Sequence, residues 1–175
     1  MRFLPTEIDG VWIIEPEARE DHRGLFARVW CEEEFAAHGL ATRFVQANTA
    51  LSLRRGTLRG MHFQTGAAAE VKLVRCTQGA LFDVALDMRP DSPTFRRWTG
   101  VDLSADDRRM LYIPAGCAHG YQTLTDNAEL WYGTTHAYAP ASATGVRYDD
   151  PAFAIAWPEA VTVISDADAA WPHVS

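Results

Sequence analysis

Apolar residues fall in short runs along this chain, and glycine or proline stops almost every run. The segment EVKLVRC, Glu70 to Cys76, shows the pattern most clearly. Val71, Leu73 and Arg75 point one way and Lys72 and Val74 the other, the period-two alternation of a strand. Comparable runs are GVWIIEP (closed by Pro16), RFVQANTALS, GTLRGMHFQ, ALFDVALDM, RWTGVDLS, RMLYIPAG, GYQTLT and ELWYGTTHAY. They are rich in β-branched and aromatic residues and bounded by turn signals, which predicts an all-β sandwich or barrel. One stretch breaks the pattern. In CEEEFAAHGL, acidic residues load a first helical turn and Gly39 supplies a stop, so a short helix is predicted there. The turn-rich segment Asp150 to Pro158 is expected to pack outside the main sheets. No repeat, low-complexity tract or linker divides the sequence, and residues 1–175 are expected to form a single domain.

Composition narrows the partners. Hydrophobic residues make up 47% and charged residues 22%, the balance of a globular protein. The net charge of −7 disfavours a general nucleic-acid binder. No apolar run approaches a membrane span, and neither a leader peptide nor a membrane association is expected. Cys31, Cys76 and Cys117 are odd in number and widely spaced, so neither a disulfide framework nor a zinc knuckle is predicted. A reducing, cytoplasmic setting is the expectation. Local charge runs against the overall sign: Arg54, Arg55, Arg59, Lys72 and Arg75 crowd around His62 in the sequence.

Two of the six histidines sit in distinctive settings. His62 follows Gly56 by six residues, and His119 closes the run Pro114, Gly116, His119, in a loop of small residues. These two motifs, G-x5-H and P-x-G-x-x-H, resemble the paired motifs of cupin jelly rolls. The metal-binding cupins have a second histidine where this chain has Gln64, and Glu70 comes late for the acidic ligand. His62 and His119 alone are too few for a transition-metal site, so no metal or other cofactor is expected. An acid–base role remains, because imidazole titrates near neutrality. Arg59, His62, Gln64 and Lys72 are predicted on adjacent strands around one cavity. Cations buried together there call for an anionic ligand. The plainer alternative is that His62 is a hydrogen-bonded strand residue.

Eight segments in order carry a more specific likeness: RGLFARVW, FVQANTALS, GTLRGMHFQ, the long run from VKLVRCTQ to TGVDLS, LYIPAGCAHGYQTL, YGTTHAYAP, VRYDDPAFAIAWP and SDAD. From about Gly10 to Asp168 the chain resembles the dTDP-4-dehydrorhamnose 3,5-epimerase family of RmlC-like cupins. The resemblance implies a jelly-roll fold, a homodimer and a metal-free epimerase. Its substrate would be a nucleotide diphosphate-linked 4-keto-6-deoxy sugar, inverted at C3, C5 or both. It also implies roles. His62 is the general base, Asp168 the carboxylate that pairs with it, Tyr132 the acid on the opposite ring face, and Lys72 the cation beside the developing enolate. Arg23, Phe26, Gln46, Asn48, Arg59, His119 and Tyr138 fall at substrate-binding positions.

Each residue also has a plainer reading. Asp168 reads as a solvated loop residue, Tyr132 as core or interface, and Arg23 as the brace of a turn before Gly24. Trp131 and Tyr138 read as packing residues or stacking platforms, and Cys76 and Cys117 as buried small residues. The chain departs from the family pattern at Arg28, Ala47, Gly133 and Ala167 and lacks the acidic residue after YAP, near Ala143. The expectation is an unchanged proton-transfer set within an altered nucleotide pocket. Three alternatives stay open: a single-centre epimerase of the same class, a non-catalytic protein that binds sugar nucleotides, and a metal cupin oxygenase.

Overall fold

The computed structural model describes residues 1–174; Ser175, the last residue of the expected domain, lies outside the described residues. Two antiparallel sheets stack face to face. The first contains β1 (Arg2–Pro5), β2 (Trp12–Glu15), β5 (Gln46–Ser52), β7 (Lys72–Gln78), β10 (Met110–Ile113) and β12 (Ala128–Thr134), in the order β1-β2-β10-β7-β12-β5. The second contains β6 (Leu58–Gln64), β8 (Ala80–Asp87), β9 (Trp98–Ser104), β11 (Cys117–Thr123) and β13 (Ala143–Gly145), in the order β13-β6-β11-β8-β9. A separate hairpin pairs β3 (Ala18–Asp21) with β4 (Gly24–Ala27). Two short helices, α1 (Glu32–Ala37) and α2 (Asp166–Ala169), complete a cupin jelly roll.

The hydrophobic pattern accounts for the stacking. On β7, Val74 and Cys76 turn inward to meet Leu81 and Ala85 of β8, Leu111 and Ile113 of β10, and Leu130 of β12. Its alternate residue Leu73 turns outward under Phe35 of α1. The second sheet is covered on its outer face too: Met61, Val84, Leu86 and Ala118 pack against Phe153. That contact places the predicted turn-rich segment outside the sheets. It also explains why β8 and β11 read as nearly continuous buried runs, since both their faces are covered. Helix α1 is shorter than the stretch that predicts it. It runs from the acidic turn to Ala37, and Gly39 follows with φ +70°.

Two expectations need correction. His119 is not in a loop: β11 begins at Cys117, three residues before the predicted run, so His119 is a strand residue. Arg59, His62 and Gln64 on β6 and Lys72 on β7 are not on adjacent strands but on the two sheets that face each other. The cations near His62 in sequence also scatter. Arg55 pairs with Glu159 at the surface, and Arg75 points to the outer side of its sheet, beside Trp131 and Phe44. The pattern also left out β1, the β3–β4 hairpin, β13 and α2. These are elements of three or four residues, too short to show a period.

Candidate active site

Between the sheets lies a cavity of about 730 Å³, open at one end. On the second sheet, β6 and β11 run so close that a Cβ on Gly60 would lie 2.5 Å from Gly120 Cα. Gly60 has φ +125°, which a side chain disfavours. This close approach sets His62 directly opposite His119 in the strand register. On the first sheet, Lys72 and Tyr132 share the inward face, with Tyr132 registered against Val74 of β7 and against Asn48 of β5.

His62 meets a carboxylate from far along the chain. Its Nε2 is 2.6 Å from Asp168 Oδ1 on α2. Asp168 is buried, which corrects its reading as a solvated loop residue. Its Oδ2 accepts the Gly60 N–H at 3.1 Å, and its own N–H donates to Ser165 Oγ, which caps α2. Burial works to raise the Asp168 pKa. The bonds from His62, Gly60 and Ser165 outweigh it and hold the carboxyl below its ordinary range. A carboxylate on Nε2 leaves Nδ1 of His62 to act on a ligand.

Lys72 is almost fully enclosed. Its Nζ donates to the His62 carbonyl at 3.0 Å and lies 3.4 Å from Glu70 Oε1. Burial lowers its pKa, and the carboxylates of Glu70 and Asp83 oppose the shift. Burial pushes the Tyr132 hydroxyl upward, which keeps it a proton donor at neutral pH. Arg59 lines the cavity with its guanidinium held by Ser52 Oγ and the Leu51 carbonyl, each at 3.2 Å. Gln46 donates to Asn48 Oδ1 and accepts the Tyr138 N–H, and the exposed Tyr138 ring stands at the mouth.

The structure therefore gathers His62, Asp168, Lys72, Tyr132, Gln46, Asn48, Arg59, His119 and Tyr138 around one cavity. It does not bring Arg23 and Phe26 there. Both are on the β3–β4 hairpin, with the Arg23 side chain 78% exposed and Phe26 73% exposed, and Arg23 braces its turn through Asp21 at 2.6 Å. The departures from the family pattern divide in the same way. Ala143 and Ala167 line the cavity, whereas Ala47 and Gly133 are paired on the opposite face of the first sheet. Arg28 is exposed and bound to Glu34. The altered cavity wall is thus at Ala143 and Ala167, not around Gly133.

Gln64 does not stand in for a ligand. Its amide donates to the Ala68 and Ala137 carbonyls and accepts the Ala139 N–H, tying three stretches together. Among the described residues no group of three or more His, Cys, Asp or Glu side chains could hold a metal ion. Burial pushes Cys76 up to about 11 and Cys117 up to about 12, so both stay thiols at neutral pH. Sequence reasoning missed Asp83, Glu70 as the partner of Lys72, and Trp171, whose ring centroid is 6.4 Å from that of His62. Asp83 carried a readable signal, as a lone carboxylate inside the apolar run ALFDVALD.

Comparison with known proteins bears on the same residues. Residues 5–175 match the family described as dTDP-4-dehydrorhamnose 3,5-epimerase. The chain is 44% identical over 173 residues to the dTDP-4-dehydrorhamnose 3,5-epimerase of Methanothermobacter thermautotrophicus, covering 97% of this chain and 92% of that one. It is 41% identical over 169 residues to a dTDP-4-dehydrorhamnose 3-epimerase of Streptomyces niveus, covering 96% and 81%. A crystal structure of dTDP-6-deoxy-D-glucose-3,5-epimerase from Legionella pneumophila, in complex with dTDP-4-keto-L-rhamnose, superposes with a TM-score of 0.90 at 40% identity, covering 97% of this chain and 90% of that one. With a jelly roll of this connectivity and a match along nearly its whole length, the chain belongs to the dTDP-4-dehydrorhamnose 3,5-epimerase family.

Proposed function

We propose that the protein inverts C3, C5 or both in a nucleotide diphosphate-linked 4-keto-6-deoxy sugar, with His62 as base and Tyr132 as acid. One observation carries this reading. His62, paired with Asp168 of α2, stands on one sheet and Tyr132 with Lys72 on the facing sheet, so a ring between them meets a base and an acid on opposite faces. The hydrogens on C3 and C5 flank the C4 ketone, and removing either gives an enolate. His62 takes the proton. Asp168 fixes the imidazole tautomer and supports the imidazolium that forms. The Lys72 ammonium, almost fully enclosed, stabilises the enolate oxygen from a buried position, where a charge counts most. Tyr132 then returns a proton from the other face, and the centre is inverted. Arg59 binds the diphosphate, and His119, Gln46, Asn48 and Tyr138 hold the sugar and nucleoside. No step calls for a metal or a redox cofactor.

The position of the β3–β4 hairpin supports a homodimer. Arg23 and Phe26 are exposed and do not line the cavity of their own chain, and edge strand β5 exposes Leu51. In a dimer the hairpin of one copy reaches the cavity of the other. The chain acts as one domain in the cytoplasm, in keeping with three free cysteines and with no described helix long and apolar enough to cross a membrane. The relative from Streptomyces niveus, named a 3-epimerase, favours the single-centre alternative at almost the same identity. Incubation of a dTDP-4-keto-6-deoxy sugar with the protein in D2O separates the readings. Deuterium at C3 and C5 with inversion marks the double epimerase, and deuterium at one carbon the single. No deuterium in a sugar that binds overturns the enzymatic reading.

A further inference from the structure

A second carboxylate–imidazole pair lies behind the cavity wall. Asp83 is on β8 between the core residues Leu81 and Ala85 and is wholly buried. Its Oδ1 is 2.7 Å from His119 Nε2, and its Oδ2 has no hydrogen-bond partner among the described residues. Tyr121 is its register partner on β11, and the Tyr121 hydroxyl is also unpartnered among them. Packing does not account for this arrangement. A valine or leucine would suit the inner face of a core strand, whereas a buried carboxylate with one bond is costly. Asp83 itself does not line the cavity, but His119 does.

We propose that Asp83 is a positioning residue of the epimerase site. It holds the ring proton of His119 on Nε2, so that Nδ1 remains a hydrogen-bond acceptor for a sugar hydroxyl. No partner for Nδ1 exists among the described residues. An acceptor cannot serve the enolate oxygen, so that oxygen is left to Lys72, and His119 grips a hydroxyl of the same ring. His62 and His119, opposite each other on neighbouring strands, thus each have a carboxylate on Nε2. One pair moves a proton and the other orients the sugar. Asp83 has a second effect through its charge, since it helps Lys72 keep its proton against burial. The other ionisable groups lining the cavity with Lys72 are Glu70, Arg59, His62, His119, Tyr121, Tyr132, His136, Tyr138 and Asp168, and replacing Asp83 leaves all of them in place.

The proposal rests on the epimerase reading, and two measurements on Asp83→Asn test it separately from that reading. The first is a 15N-detected spectrum of the imidazoles at alkaline pH, which needs no substrate. Wild type should show His119 protonated on Nε2, and Asp83→Asn should lose that preference. The second is the pH profile of kcat/KM. Asp83→Asn should lower kcat/KM by about 10- to 100-fold, the scale for partners that orient a site residue. Its alkaline limb should also move to lower pH, because Lys72 loses a nearby negative charge and gives up its proton sooner. A purely structural defect would lower activity without moving the limb. A wild-type spectrum with the proton on Nδ1 overturns the proposal even if the variant fails to fold. So does a variant with wild-type tautomer and profile. His62→Ala, run in parallel, reports on the epimerase reading alone.

Discussion

His62 and Asp168 are 106 residues apart in sequence and 2.6 Å apart in space. Nothing local in SDAD marks Asp168 as a partner for a histidine. Its role came only through the family resemblance, and physically it depends on Ser165 capping a four-residue helix and on the Gly60 N–H. His62 itself was legible, as an imidazole in an apolar strand beside a glycine turn. His62→Ala should lower kcat by about 10³-fold or more and Asp168→Asn by about 10²-fold, on the scale of general acid–base catalysis and tautomer control. Steady-state rates with unchanged circular dichroism check both, and near-wild-type rates would place the base elsewhere. Arg59 is the cation fixed at the cavity rim by Ser52 and Leu51. Arg59→Ala should weaken dTDP binding by about 1.5–3 kcal/mol, the worth of a hydrogen bond to a charged group. Calorimetry measures this directly, and unchanged affinity would put the diphosphate away from Arg59.

The long strands were legible because each carries a side-chain alternation or an unbroken apolar run between turn residues. Their assignment to sheets was not. Period two says that Lys72 and Leu73 face opposite ways, but it does not say that β7 and β6 belong to different sheets. The β3–β4 hairpin was missed because its four-residue strands have no buried face from which to read a period. Close contact between β6 and β11 is the element-level feature on which the site depends. It needs Gly60 against Gly120, and a glycine in a strand pattern signals only that some backbone passes near, not which one. Gly60→Ala should cost about 3 kcal/mol, combining a disfavoured φ with overpacking. Chemical denaturation measures that cost. A stability within about 0.5 kcal/mol of wild type would show that the strands can separate freely.

At the scale of the molecule, the sandwich puts two kinds of chemistry on two walls. His62, paired with Asp168 of α2, belongs to the five-stranded sheet, and Lys72 and Tyr132 to the six-stranded one. If the hairpin of one copy completes the cavity of the other, two impaired variants should restore each other. Arg23→Ala and His62→Ala, unfolded and refolded together, form a mixed dimer with one site that has both groups intact. Activity should then exceed that of either variant alone; no recovery, with mixed dimers present, would mean that Arg23 does not act across the interface. Inversion requires base and acid to approach the sugar from opposite walls, and Tyr132→Phe in D2O probes that geometry at a single residue. The protein should still exchange the hydrogen next to the ketone for deuterium, because His62 and Lys72 remain, while inversion at that carbon falls by about 10²-fold or more for want of the opposite acid. NMR of the recovered sugar reads both quantities in one sample. Exchange without inversion is the predicted result, and inversion at the wild-type rate would contradict the account.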